Sequence, residues 1–194
     1  MKFKKLLAVG FAFAMILGVV ACTNNEEVKE DMPQGEAVMG RDLYGEYYTQ
    51  NYNDYLMGLN SYNMYMNSDM AIEQYQDKEY PGNEKYLEEV KSAYNDSKEK
   101  IQKFVTELKS EKNLEDEELK QMNQDMIDKG EKVLEEIDAK LANLDKLTDE
   151  DLKKDRDDFI RATNEVTKLE TDISTEFNNL IKDMNEMFKV NPNK

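Results

Sequence analysis

Residues 84 to 110 read EKYLEEVKSAYNDSKEKIQKFVTELKS, and the spacing of their apolar side chains decides the class of fold. Leu87, Val90, Tyr94, Ile101, Phe104 and Leu108 recur at intervals of three, four, seven, three and four. At about 100° per residue those intervals keep returning to one side of a helix. Neither glycine nor proline interrupts the run, so it predicts an amphipathic helix over about 84 to 110.

Outward from this helix the breakers mark the rest of the architecture. Pro81-Gly82-Asn83 is the clearest turn, because proline presets the backbone for one. It separates a first predicted helix, about 42 to 79, from the second. After SEKNLEDEE, whose acids suit a helix start, a third helix carries Leu119, Met122, Met126, Gly130, Leu134, Ile137, Leu141 and Leu144, with Gly130 as its weak spot. Thr148-Asp149-Glu150-Asp151 offers a capping hydroxyl followed by first-turn acids, and it predicts the start of a last helix. The stripe there runs from Leu152 through Phe159, Val166, Ile173, Phe177 and Met184 to Met187, ending before Pro192.

Four long helices, each apolar on one side, can bury those sides only against one another. The expected fold is therefore all-α: an elongated, coiled-coil-like antiparallel bundle of about four helices over residues 41–190, with 191–194 as a disordered tail. About 150 residues suffice for a sizeable core. No strand pattern or internal repeat is visible.

The first predicted helix is unusual in composition. Residues 43 to 66, LYGEYYTQNYNDYLMGLNSYNMYM, hold seven tyrosines and no phenylalanine or tryptophan. As a continuous helix, Tyr44, Tyr48, Tyr52, Tyr55 and Tyr62 share one face with Leu59 and Met66, and that face is expected to meet the core. Each hydroxyl demands water or a partner, which suits a bundle edge or a wet groove. Tyr47 and Tyr65 share an azimuth about 60° beyond that face, with Gly58 and Asn51 between them. They are either rim residues covering the core edge or the two sides of an aromatic notch that includes Gly58, for a sugar or peptide. On the opposite side Met57 and Met64, with Asn53 and Asn60, face another packed helix or an adaptable protein contact.

The chain begins MKFKK, followed by the unbroken apolar run LLAVGFAFAMILGVV, the layout of an export signal. The alternative, a membrane-spanning anchor, has only seventeen residues from Leu6 to Cys22, about 25 Å of helix against roughly 30 Å of hydrocarbon. Cys22 is the only cysteine and stands where the apolar run meets the polar TNNEE. A lone exported cysteine has no internal disulfide partner.

Val19-Val20-Ala21-Cys22 resembles the lipobox of bacterial lipoproteins, although the usual pattern prefers leucine where Val19 stands. The resemblance implies that residues 1–21 are a cleaved signal peptide and that Cys22 is lipidated and becomes the mature N-terminus. Two acyl chains such as palmitate, at roughly 0.8 kcal/mol per buried methylene, hold a protein firmly on a membrane without spanning it. Residues 22–40, polar and acidic with Pro33, Gly35 and Gly40, then read as a flexible linker. The expected location is the extracytoplasmic face of the cell membrane.

Charge and composition narrow the chemistry. The full chain has 26 basic and 42 acidic side chains; removing residues 1–21 leaves 23 against 42, a net charge of −19. Such a surface repels phosphate backbones, so nucleic acid is not an expected partner. Histidine is absent and the one cysteine is committed to lipid, which removes His/Cys metal sites and Cys–His or Ser–His nucleophiles. No catalytic residue, metal ligand or cofactor is predicted. The acids Asp149, Glu150, Asp151, Asp155, Asp157 and Asp158 crowd one helix start, where the helix dipole favours them.

Tyr52-Asn53-Asp54-Tyr55 and Leu59-Asn60-Ser61-Tyr62-Asn63, with Ile72 and Tyr75 following, resemble the opening helix of the YiiG-type bacterial lipoproteins, over residues 43 to 80. The resemblance implies an all-helical envelope lipoprotein without assigned catalytic residues, so no functional residue is carried over from it. The expected function is a non-enzymatic binding or scaffolding role in the cell envelope, with an envelope protein, a peptide or a glycan as ligand. The alternatives are a carboxylate-dependent glycan hydrolase, which needs two acids about 5 to 10 Å apart across a cleft, and a purely structural spacer.

Overall fold

A computed structural model describes residues 39–110 and 114–190. The expected signal peptide 1–21, Cys22, the expected linker up to residue 38 and the expected tail 191–194 lie outside the described residues. The fold is an all-α helical bundle, as the apolar periods predict. Its helices are α1 (Arg41–Asn51), α2 (Asn63–Met66), α3 (Ser68–Gln74), α4 (Asn83–Ser110), α5 (Glu117–Leu144), α6 (Arg156–Val166) and α7 (Ile173–Met187).

α4 and α5 are the backbone of the bundle. Each has 28 residues, about 42 Å of helix. Ion pairs Lys91–Asp145, Lys98–Asp138 and Lys109–Glu131 join them, ascending one helix while descending the other, so the pair is antiparallel. The predicted stripe of α4 is buried at Val90, Tyr94, Ile101, Phe104 and Leu108, and that of α5 at Leu119, Met126, Gly130, Ile137 and Leu144. Asp116 caps α5 by accepting from the backbone N–H groups of Glu118 and Leu119, a cap that contributes about 1 kcal/mol. Gly130 is a point of close approach: a Cβ there would stand 2.5 Å from a Val105 methyl and 3.3 Å from the Phe177 ring.

The two outer helices of the expected four are each divided. α1 runs into a π-helical turn, Tyr52–Leu56, closed by the Met57 N–H bonding the Tyr52 carbonyl at 2.9 Å. Buried side chains at Tyr44, Tyr48, Tyr52 and Leu56 are each four apart. On an α-helix that spacing drifts about 40° per step, and the wider π turn absorbs the drift, keeping Leu56 in the core. Leu56 thus takes the inward place expected of Tyr55, which is half-buried.

At Gly58 the backbone adopts φ +90°, a conformation favourable only to glycine, and the chain changes direction. A 3-10 turn (Leu59–Tyr62) leads into α2, and Asn67, extended at φ −136°, caps α3 with its side chain. The expected continuous helix over 42 to 79 is accordingly replaced by a helix, a turn and two short helices.

The last segment divides likewise. Thr148 and Asp151 form the predicted cap: the Thr148 hydroxyl donates to Asp151 at 2.8 Å and accepts from its N–H at 3.3 Å. This cap opens only the 3-10 turn Asp151–Lys153, and α6 begins at Arg156. α6 ends where Thr163 and Thr167 turn their hydroxyls back onto the carbonyls of Phe159 and Thr163, a competing bond that weakens helices. α6 is tied to α3 by Arg161–Asp69 at 3.2 Å and to the end of α2 by Asn164 donating to the Met66 carbonyl at 2.9 Å. α7 packs on α5. Met39, assigned to the linker from sequence, belongs to the fold through an isolated bridge to Leu114.

Candidate functional site

The tyrosines expected to line a notch are held in the fold at separate places. The Tyr47 hydroxyl donates to the Glu107 carbonyl near the end of α4. The Tyr65 hydroxyl reaches Glu89 Oε2 at 3.5 Å. Glu89 and Glu107 are eighteen residues apart on one helix, about 27 Å. Gly58, expected between the two rings, is instead a turn of the chain with φ +90°. The three residues therefore do not converge on one notch, because the helix that would have aligned them ends at Met57.

Tyr65 belongs to an aromatic cluster beside the Pro81 turn. Its ring lies 6.3 Å from Tyr86, which also meets Tyr75 at 6.0 Å, Tyr80 at 5.8 Å and Phe159 at 6.3 Å. Tyr75 donates to the same Glu89 oxygen at 3.4 Å. Burial, and then the Glu89 charge, push the Tyr75 hydroxyl up to about 12. Ring faces here are covered by other rings, and the cluster reads as core with polar edges.

A different place has the properties of a site. Between α4, α5 and α7, beneath the 59–66 segment, lies a cavity of about 160 Å³. α4 supplies Tyr94, Ser97 and Ile101, and α5 supplies Val133, Ile137 and Lys140. Ser174, Phe177 and Ile181 of α7 close the third side, while Leu59 and Met66 form the outer wall. Ser97 sits in the middle of the seven-residue step between Tyr94 and Ile101. A small side chain there leaves a hole in the stripe where a large one would fill it. The Ser97 hydroxyl turns away, donating to the Ala93 carbonyl at 2.8 Å.

Further polar side chains stand in or beside the cavity, with Asn178 of α7 also in its lining. Ser174 donates to Glu136 Oε2 at 2.9 Å across the α5–α7 interface. Glu136 is 9% exposed, and its Oε1 receives no hydrogen bond from the described residues. Lys140 holds its ammonium 5.9 Å from the Tyr94 ring centroid, a cation–π distance. The Tyr94 hydroxyl is pushed up by burial, opposed by a hydrogen bond with Thr167. This set can take up an apolar body with one polar end. Among the described residues no three His, Cys, Asp or Glu side chains are grouped to hold an ion.

Ser174, Lys140 and Glu136 were not singled out from sequence. The available signal was the interrupted period at Ser97 and an acid, Glu136, adjoining Ile137 of the α5 stripe. Among the described residues no helix is long and apolar enough to cross a membrane. No family model matches the chain, and neither does a curated protein or a solved structure.

Proposed function

We propose that this protein is a lipid-anchored lipoprotein of the bacterial cell envelope, held at the extracytoplasmic face, whose helical domain binds or scaffolds an envelope component without transforming it. The observation that carries this reading is Cys22: the only cysteine in the chain, placed after Val19-Val20-Ala21 at the junction of the apolar run and a polar segment. Diacylation at that position supplies anchoring that a single short apolar run does not. The resemblance of residues 43 to 80 to YiiG-type lipoproteins points the same way. A chain with no histidine, and one cysteine committed to lipid, favours binding over nucleophilic or metal chemistry.

The anchoring is tested by expressing the full chain in a bacterial host fed an alkyne-bearing palmitate. The wild type is expected to carry label and to sediment with membranes, whereas Cys22→Ala carries none and retains residues 1–21. Equal labelling of the two proteins would remove the lipoprotein reading. Photo-crosslinking of the anchored protein in intact cells tests the binding role separately, with a discrete crosslinked species expected and an unmodified monomer throughout counting against it.

A further inference from the structure

The cavity under the 59–66 segment combines two observations that apolar packing does not explain. Its walls are aliphatic and aromatic at Ile101, Val133, Ile137 and Phe177, yet one of its rim hydroxyls, Ser174, is bonded to a buried acid. That acid, Glu136, keeps an acceptor oxygen to which no described residue donates. Buried acceptors are almost always satisfied, and an exception calls for a partner. From Val133, Ile137 and Lys140, all lining the cavity, Glu136 is displaced by about 40° to 100° around α5. It therefore stands behind Ser174 and outside the cavity lining, and the Ser174 hydroxyl is the group through which the pair meets the cavity.

We propose that this cavity binds a small, ring-sized apolar molecule carrying one hydrogen-bond-donating group, with the donor directed to the Ser174 oxygen and the ring against Ile101, Val133 and Phe177. The size fits: in another protein an engineered cavity of about 150 Å³ lined by Leu, Ile and Phe holds benzene, and this one is about 160 Å³. Ser174 gives its proton to Glu136, so its oxygen is left to accept, which selects a ligand that donates. Entry is through the outer wall, where Met66 is 37% exposed and the 59–66 segment is bounded by the turns at Gly58 and Asn67.

This inference rests on the binding reading of the domain, though not on its anchoring. The test uses the full chain in lipid nanodiscs with 13C-methyl methionine, following the Met66 resonance while phenol or toluene is titrated. Phenol is expected to give a saturable shift, with toluene about tenfold weaker. Ser174→Ala brings the two probes to within about twofold of each other, and Ile101→Phe, which fills the cavity, abolishes both responses. Should Ile101→Phe fail to fold, Val133→Leu serves as the smaller filler and is expected to weaken both probes. The proposal is overturned if neither probe saturates, if the filled variants respond as the wild type does, or if toluene binds as tightly as phenol. Crosslinks retained in cells while the probes fail would overturn the cavity site alone and leave the wider binding role standing.

Discussion

The Tyr44 hydroxyl donates to the Asn123 side-chain oxygen at 2.7 Å in the buried interior, joining the first helix to α5. Asn123 in turn donates to the Leu108 carbonyl at 3.2 Å, so one polar thread ties three helices together. This answers why tyrosine stands where leucine would fill the same space. The ring supplies apolar area and the hydroxyl specifies which neighbour it meets. Tyr48 does the same toward α7, donating to Asn185 at 2.9 Å. Tyr44→Phe is expected to strand the Asn123 oxygen and to lower stability by about 1 to 3 kcal/mol. Removing both ends with Tyr44→Phe and Asn123→Leu should cost less than Tyr44→Phe alone. Urea denaturation of the single and double variants measures the difference, and additive losses would show that the bond does not couple the two sites.

Gly130 offers a prediction whose sign opposes helix propensity. On propensity alone, Gly→Ala inside a helix stabilises by about 1 kcal/mol. Here the new methyl would stand 2.5 Å from a Val105 methyl, and valine is stiff about χ1. Gly130→Ala is therefore expected to destabilise by about 1 to 3 kcal/mol, with partial recovery when Val105→Ala is added. A Gly130→Ala protein melting higher than the wild type would refute the close approach.

Gly58 is tested by local opening. At φ +90° an alanine is strained by about 1 to 2 kcal/mol. Because the strain falls on the turn that seats Leu59 and Met66, Gly58→Ala should raise amide exchange over residues 59–66 more than over α4 or α5. Uniform acceleration across all helices would mean that the turn is coupled to global unfolding.

Alkaline pH should unfold the protein through its tyrosines. The Tyr75 hydroxyl is pushed up to about 12, and burial holds Tyr48, Tyr80 and Tyr86 above the ordinary tyrosine value as well. A folded pKa above the unfolded value of about 10 means the neutral form is favoured in the fold. That contribution is fully present below pH about 10 and is lost as pH rises through the folded value. Stability is expected to fall between pH about 10 and 12, with a late-titrating group of tyrosines in the 295 nm absorbance. Titration of all eleven tyrosines as one population near pH 10, with the fold intact, would contradict this.

The amphipathic periods of α4 and α5, the acids at the start of α5 and the break before α4 at Pro81-Gly82 were legible because each depends on residues within a few turns of one another. Helical class, the inward sides of α4 and α5 and the crowding of acids at helix starts all follow from local spacing and charge, whereas in the first segment Leu56 is buried in place of Tyr55 and Met66, expected inward, is 37% exposed. The breaks in the outer helices depend on length relative to a neighbour instead. The first segment runs antiparallel along α4, with Tyr47 at Glu107, Tyr62 at Asp96 and Tyr65 at Glu89. Continued straight to residue 79, it would pass the start of α4 at Asn83 and leave its last turns without a surface to cover. Burial is worth more than unbroken helix, so the chain turns at Gly58 and Asn67 and packs α3 on α6. The last segment, read as one helix from about 150 to 190, would span about 60 Å, and it folds as α6 and α7 on a hairpin of about 42 Å. The same packing sets the cavity. Ser97 interrupts the stripe within a single helix, but the hole acquires walls only when Val133, Phe177 and Leu59 arrive from three other elements, and no local spacing encodes that meeting.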